Sequence, residues 1–113
     1  RQDADLLCEI PVDFVLAALG GDIDVPSPDG KKLRISIPEG CQNERQFRLK
    51  GKGMPVLQSR RYGDLFVEIH VEIPKDFNKK QIDLLKEFEK EASKNNSPES
   101  NDYISRLKKI FKN

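Results

Sequence analysis

Apolar and polar side chains alternate through most of the first 74 residues. Residues 6–10 (LLCEI) predict a short strand ending at Pro11. Ile23 and Val25 alternate with Asp22 and Asp24, and Leu33, Ile35 and Ile37 alternate with Arg34 and Ser36. Between these runs Ser27-Pro28-Asp29-Gly30 is a turn by residue type: Pro presets φ, Asp bonds nearby backbone and Gly accepts positive φ. Phe47 and Leu49 alternate with Arg48 and Lys50. The longest run puts Leu65, Val67, Ile69, Val71 and Ile73 on one face, with Asp64, Phe66, Glu68, His70 and Glu72 on the other. A period of two with one apolar face predicts a half-buried, mainly antiparallel sheet. Phe66 is the one large apolar group on its wet face.

Helical spacing interrupts this pattern in three places. Asp13 can cap a short helix over 13–19, stopped by Gly20-Gly21. Its residues, FVLAAL, are apolar on nearly every side, which predicts a buried helix. Composition changes at Pro74. Asn78 with Gln81 three residues later fits a capping box for a helix near 79–92, striped by Ile82, Leu85, Phe88 and Ala92. After a linker (SKNNSP, 93–98), Pro98 suits the first turn of a helix near 99–112. There Tyr103, Leu107, Ile110 and Phe111 share one face, with Ile104 beside it. The division is therefore a β domain over 1–74 and a helical region over 75–113, with no internal repeat.

Charged residues are 35% of the 113-residue chain, and the mean hydropathy is −0.66. No apolar run approaches the roughly 18 residues a membrane span needs. The opening Arg1-Gln2-Asp3 carries no initiator Met and reads as the start of a piece excised from a longer protein. Cys8 and Cys41 lie far apart and neither belongs to a Cys-x-x-Cys pair, so the expectation is no metal site on them and no disulfide framework. A reducing, cytoplasmic setting follows from that reading. The net charge is +1 but unevenly spread. Acids dominate 1–30, and bases dominate 44–61 and the last ten residues. Local fields can steer partners even when the total is near zero.

Gly51-Lys52-Gly53-Met54-Pro55 and Gly63-Asp64-Leu65 are the most distinctive stretches. Glycines can let backbone cradle a phosphate, but no Lys-Ser/Thr pair follows and no helix opens there, so this is no P-loop. A glycine-rich connection between strands is the simpler reading. Arg45, Arg48, Lys50, Lys52, Arg60 and Arg61 define an alternative function, a nucleic-acid-binding β domain using a basic strand and loop. They lack the interleaved aromatics of a base-stacking platform, which disfavours that partner. His70, between two acids, reads as part of a surface ion pair rather than a catalytic base. Glu68 and Glu72 offer carboxylates to a metal, as charged outer strand faces commonly do. No catalytic constellation emerges, so no enzyme is expected. The stripe at 103–111 must be covered, either by its own sheet or by a second copy.

The runs "ADLLCEIPVDFVLAALGGDIDVPSPDGKKLRISIPEG", "FRLKGKGMP" and "YGDLFVEIHVEIP" resemble the second C-terminal β domain of DnaJ-type co-chaperones. The tail "SNDYISRLKKIFKN" is similar to the end of bacterial DnaJ chains. The resemblance covers nearly the whole sequence, with its motifs in the family's order and spacing. It implies a small, distorted β-sandwich and a homodimer joined at its far ends. It also implies binding of unfolded or extended apolar polypeptides for a DnaK-type ATPase, with the client added as a strand beside shallow pockets. Placed on the matching early strands, that mode makes Leu7, Ile23 and Val25 candidate client-binding walls beside Asp22–Val25. Ile82, Leu85, Phe88, Tyr103, Leu107, Ile110 and Phe111 are the expected dimerisation residues. The His-Pro-Asp signature of the ATPase-stimulating module is absent from this sequence. So are the Cys-x-x-Cys-x-Gly-x-Gly repeats of the family's zinc module, and no cofactor is expected.

Overall fold

The computed structural model describes residues 4–112; the opening Arg1-Gln2-Asp3 and the final Asn113 lie outside the described residues. Two compact units divide the chain, Arg1–Pro74 and Lys75–Asn113.

The first unit contains β1 (Leu6–Asp13), α1 (Phe14–Leu19), β2 (Gly21–Pro26), β3 (Lys32–Ile37), β4 (Gln46–Leu49) and β5 (Leu65–Glu72). One sheet has the order β1-β5-β4, and β2 and β3 form a second. The two sheets share one apolar core. Val12, Leu65, Val67 and Ile69 from the first meet Val25, Ile35 and Ile37 from the second, with Ala17 and Cys41 closing it. Alternation sorts these side chains inward, since successive residues of a strand point to opposite faces. The mainly-β class holds.

Three details differ from the sequence expectations. The ladder between β1 and β5 is parallel, with Leu6 opposite Leu65 and Glu9 opposite Glu68, while β4–β5 and β2–β3 are antiparallel. A period of two is common to both senses, so the pattern carries no direction. The first strand runs through Pro11 to Asp13, because β1 is a sheet edge where a missing N–H is tolerated. Ile73 is 70% exposed, since β5 ends at Glu72 opposite Asp13, where its partner strand stops.

Helix α1 begins where Asp13 accepts a 2.7 Å hydrogen bond from the Val15 N–H. It ends at Gly20, whose φ is 82°. A Cβ there would lie 2.9 Å from both Glu39 N and Ile37 O, so glycine is needed for conformation and for space. The helix is less buried than its composition predicts. Ala17 is buried, Phe14 and Leu16 are half-buried, and Leu19 is 71% exposed. Six residues make under two turns, and only the side turned to β1 and β5 finds a partner.

The glycine motifs meet in space. Gly63 bonds both Gly53 and Met54 through the backbone (Gly53 N–H to Gly63 O, 2.9 Å; Gly63 N–H to Met54 O, 2.8 Å), and Met54 N–H bonds Ala4 O at 2.8 Å. A Cβ on Gly53 would lie 2.6 Å from Ala4 O, and one on Gly63 would strike the Ala4 backbone. Close backbone approach therefore demands these two glycines, and positive φ demands Gly51 (φ 73°).

In the second unit, α2 spans Lys79–Glu91 and α3 spans Pro98–Phe111. The capping box forms as the sequence predicts: Asn78 Oδ1 accepts from Gln81 N–H at 2.8 Å, and Gln81 Oε1 accepts from Asn78 N–H at 2.9 Å. Pro98 occupies the first turn of α3.

Candidate functional site

The described residues present three surfaces suited to interaction. The first is the solvent face of the β1-β5-β4 sheet. Phe66 of β5 lies with Leu6, Leu7 and Gln46 around a shallow, mainly apolar cleft of about 240 Å³. Farther along the same face come Glu9, Glu68 and His70. The His70 Nε2 is 3.0 Å from Glu68 Oε2 and 3.9 Å from Glu9 Oε1. Gln46 donates to Glu68 Oε1 at 2.9 Å.

The second surface lies by Gly63. Met54, Pro55, Val56, Leu57 and Tyr62 line an open depression of about 730 Å³ whose polar side is Arg48 and Asp64. Leu57, near the tip, is 91% exposed. Asp64 ties this region to the strands. Its Oδ1 accepts the Gly51 N–H at 2.9 Å, its Oδ2 accepts from Arg48, and its N–H donates to Asp5 Oδ1 at 2.7 Å. The Gly51 hydrogen bond first, and the Arg48 guanidinium second, hold its carboxyl below the ordinary value of 3.8. The sequence signal for these apolar residues, a Met-Pro-Val-Leu run inside a polar loop, has no periodicity to mark it.

The third surface is the apolar side of the helical unit. Neither α2 nor α3 contains a buried residue. Ile82, Leu85, Phe88 and Tyr103 are exposed, as are Ile110 (72%) and Phe111 (77%), while Leu107 is half-buried. Arg106 pairs with Asp102 at 2.8 Å, one turn away and off this stripe.

The three residues expected as client walls do not come together. Val25 is fully buried and belongs to the core, and Ile23 is half-buried against that core. Leu7 points the other way, to the solvent face beside Phe66. The residue spacing of β1 explains this: Leu6, Cys8, Ile10 and Val12 take the inner face, so Leu7 must take the outer one. Among the described residues β2 is paired only with β3, so its other edge has no strand partner.

Two of the six bases considered for nucleic acid are engaged within the fold. Arg48 bonds Asp64, and the Arg45 guanidinium lies 4.9 Å from the centre of the Phe47 ring. Both cysteines are free thiols. Cys41 is buried, and Cys8 faces the core. No helix among the described residues is long and apolar enough to cross a membrane.

The chain folds as a two-sheet β unit followed by a helical unit, and comparison with known proteins gives its family. Residues 1–74 match the DnaJ C terminal domain. Over 111 residues the chain is 51% identical to the chaperone protein DnaJ of Rhizobium etli, and 50% identical to those of Agrobacterium fabrum and Brucella canis. Each alignment covers 98% of this chain. The chain belongs to the DnaJ C-terminal domain family. It spans about 30% of the length of these curated relatives, and the similarity lies in their C-terminal chaperone region.

Proposed function

We propose that this region of a DnaJ-type co-chaperone forms a homodimer through residues 75–113 and binds unfolded, extended polypeptide weakly for delivery to a DnaK-type chaperone. The observation that carries the first part is the exposed stripe Tyr103, Ile110 and Phe111, with Leu107 half-buried among them. An isolated helix of this length is marginal in water, so its order has to come from packing. Covering each large side chain is worth roughly 1.5–3 kcal/mol before ordering costs. Sedimentation equilibrium on the intact chain and on Leu107→Asp/Phe111→Asp tests this. A dimer that dissociates in the variant is expected; a monomeric parent, or a dimer unaffected by both aspartates, overturns it.

For client binding, the open edge of β2 offers backbone hydrogen bonds, and Ile23 beside it offers a half-buried apolar contact. The Leu7–Phe66 cleft and the Met54–Tyr62 depression supply apolar surface elsewhere on the same unit. Strand addition draws its affinity from main-chain bonds and its selectivity from such pockets. Labelled-peptide titration against Ile23→Ser and Phe66→Ser ranks the surfaces. Unchanged affinity in both folded variants removes the β2 edge and the cleft from the reading.

A further inference from the structure

The geometry points to a binding site for one zinc-like divalent transition-metal ion on the solvent face of β1 and β5, held by Glu9, Glu68 and His70. The parallel register sets Glu9 directly opposite Glu68. His70 follows Glu68 by two residues and so shares its face. One donor atom from each of the three lies within 4.8 Å of the other two. The measured pairs, 3.0 Å and 3.9 Å from His70 Nε2, bracket the roughly 3.4 Å that separates two ligands of a tetrahedral ion with bonds near 2.1 Å. Small side-chain rotations would complete the set. The Glu68 carboxylate is already oriented. Its Oε1 accepts the Gln46 amide, which leaves Oε2 turned to His70. Supporting bonds of this kind fix a ligand's direction in metal sites.

The charge balance also suits a cation. Two carboxylates and a neutral imidazole carry two negative charges, and like charges directly opposite in a sheet repel. One imidazole nitrogen with two carboxylate oxygens suits zinc better than magnesium or calcium, which favour oxygen-only sets. Three protein ligands on an exposed face leave a fourth position to water. The alternative occupant is a proton on His70, forming an ion pair with Glu68, and the two differ in what displaces them.

His70 is the chain's single histidine, so its ring resonances report on this position alone. Zinc is titrated into the intact chain at pH 7.5 while these resonances and the melting temperature are followed. The expected result is saturation at one ion per chain, a raised melting temperature, and no response to magnesium. Glu9→Gln and His70→Asn should each weaken zinc binding at least about tenfold, since losing even a supporting group costs 10–100-fold. Both residues are substantially exposed, so the variants keep the fold. Cys8→Ser/Cys41→Ser should bind zinc like the parent. Ring resonances unmoved by zinc, affinity unchanged by Glu9→Gln, or binding lost with the two thiols would each overturn the site.

Discussion

Arg48 and Asp64 are held together with a 2.6 Å contact between Nη2 and Oδ2, although the arginine remains well exposed. The pair joins β4 to the start of β5, and the same carboxylate takes the Gly51 N–H. It thereby links the two glycine motifs that the sequence shows as separate segments.

Acid should weaken this link in a defined direction. The folded-state pKa of Asp64 is depressed below 3.8, so the unfolded chain binds its proton first. The stabilisation is therefore complete above about pH 3.8 and is lost as pH falls through the folded-state value. Asp64→Asn should be less stable than the parent at pH 7, with the gap closing below the ordinary carboxylate range. Urea denaturation at a series of pH values measures it; a gap independent of pH would show that the charge is irrelevant.

Gly53→Ala should destabilise the β unit by about 1–3 kcal/mol, the range for forcing backbone into an unfavourable arrangement. The new Cβ would press on the Ala4 and Asp64 carbonyl oxygens at 2.6 and 2.7 Å. Gly53 is not one of the positive-φ glycines, so its loss is steric. Gly30→Ala, where nothing lies within 4 Å but φ is 87°, measures the positive-φ cost by itself. A Gly53→Ala variant within about 0.5 kcal/mol of the parent, the range of neutral surface changes, would refute the steric argument.

Val67→Ala and Ile69→Ala each remove part of a fully buried side chain. Losses of about 1–4 kcal/mol are expected, from lost burial and the cavity left behind. Leu19→Ala, on the exposed end of α1, should change stability by no more than about 0.5 kcal/mol. Chemical denaturation of the three variants decides whether the core lies where the two sheets meet.

Asn78→Ala removes one half of the capping box and should cost α2 about 1 kcal/mol. The effect should appear as reduced helix content by circular dichroism, with the β unit's denaturation unchanged. Loss of β-unit stability instead would show that the two units are not separate in their folding.

The alternation of apolar residues determined by itself which residues of β2, β3, β4 and β5 face the core, because side-chain direction follows residue parity. Local chemistry determined the Asp13 and Asn78 caps and the first turn at Pro98, since a cap is a contact between near neighbours. The family's residue runs were equally legible. What only the tertiary structure decided depends on distant partners. Strand sense was one case: Leu6 to Leu65 is parallel through a connection spanning the whole unit, and a period of two is blind to direction. The grouping of Glu9 with Glu68 and His70 follows from that register; the sequence alone pairs Glu68 with Glu72. That β1 and β2 lie in different sheets, so that Leu7 and Ile23 share no groove, is likewise a long-range choice that no periodicity records. Gly53 and Gly63 looked like conformational glycines, and their space requirement became visible only when Ala4 folded against them.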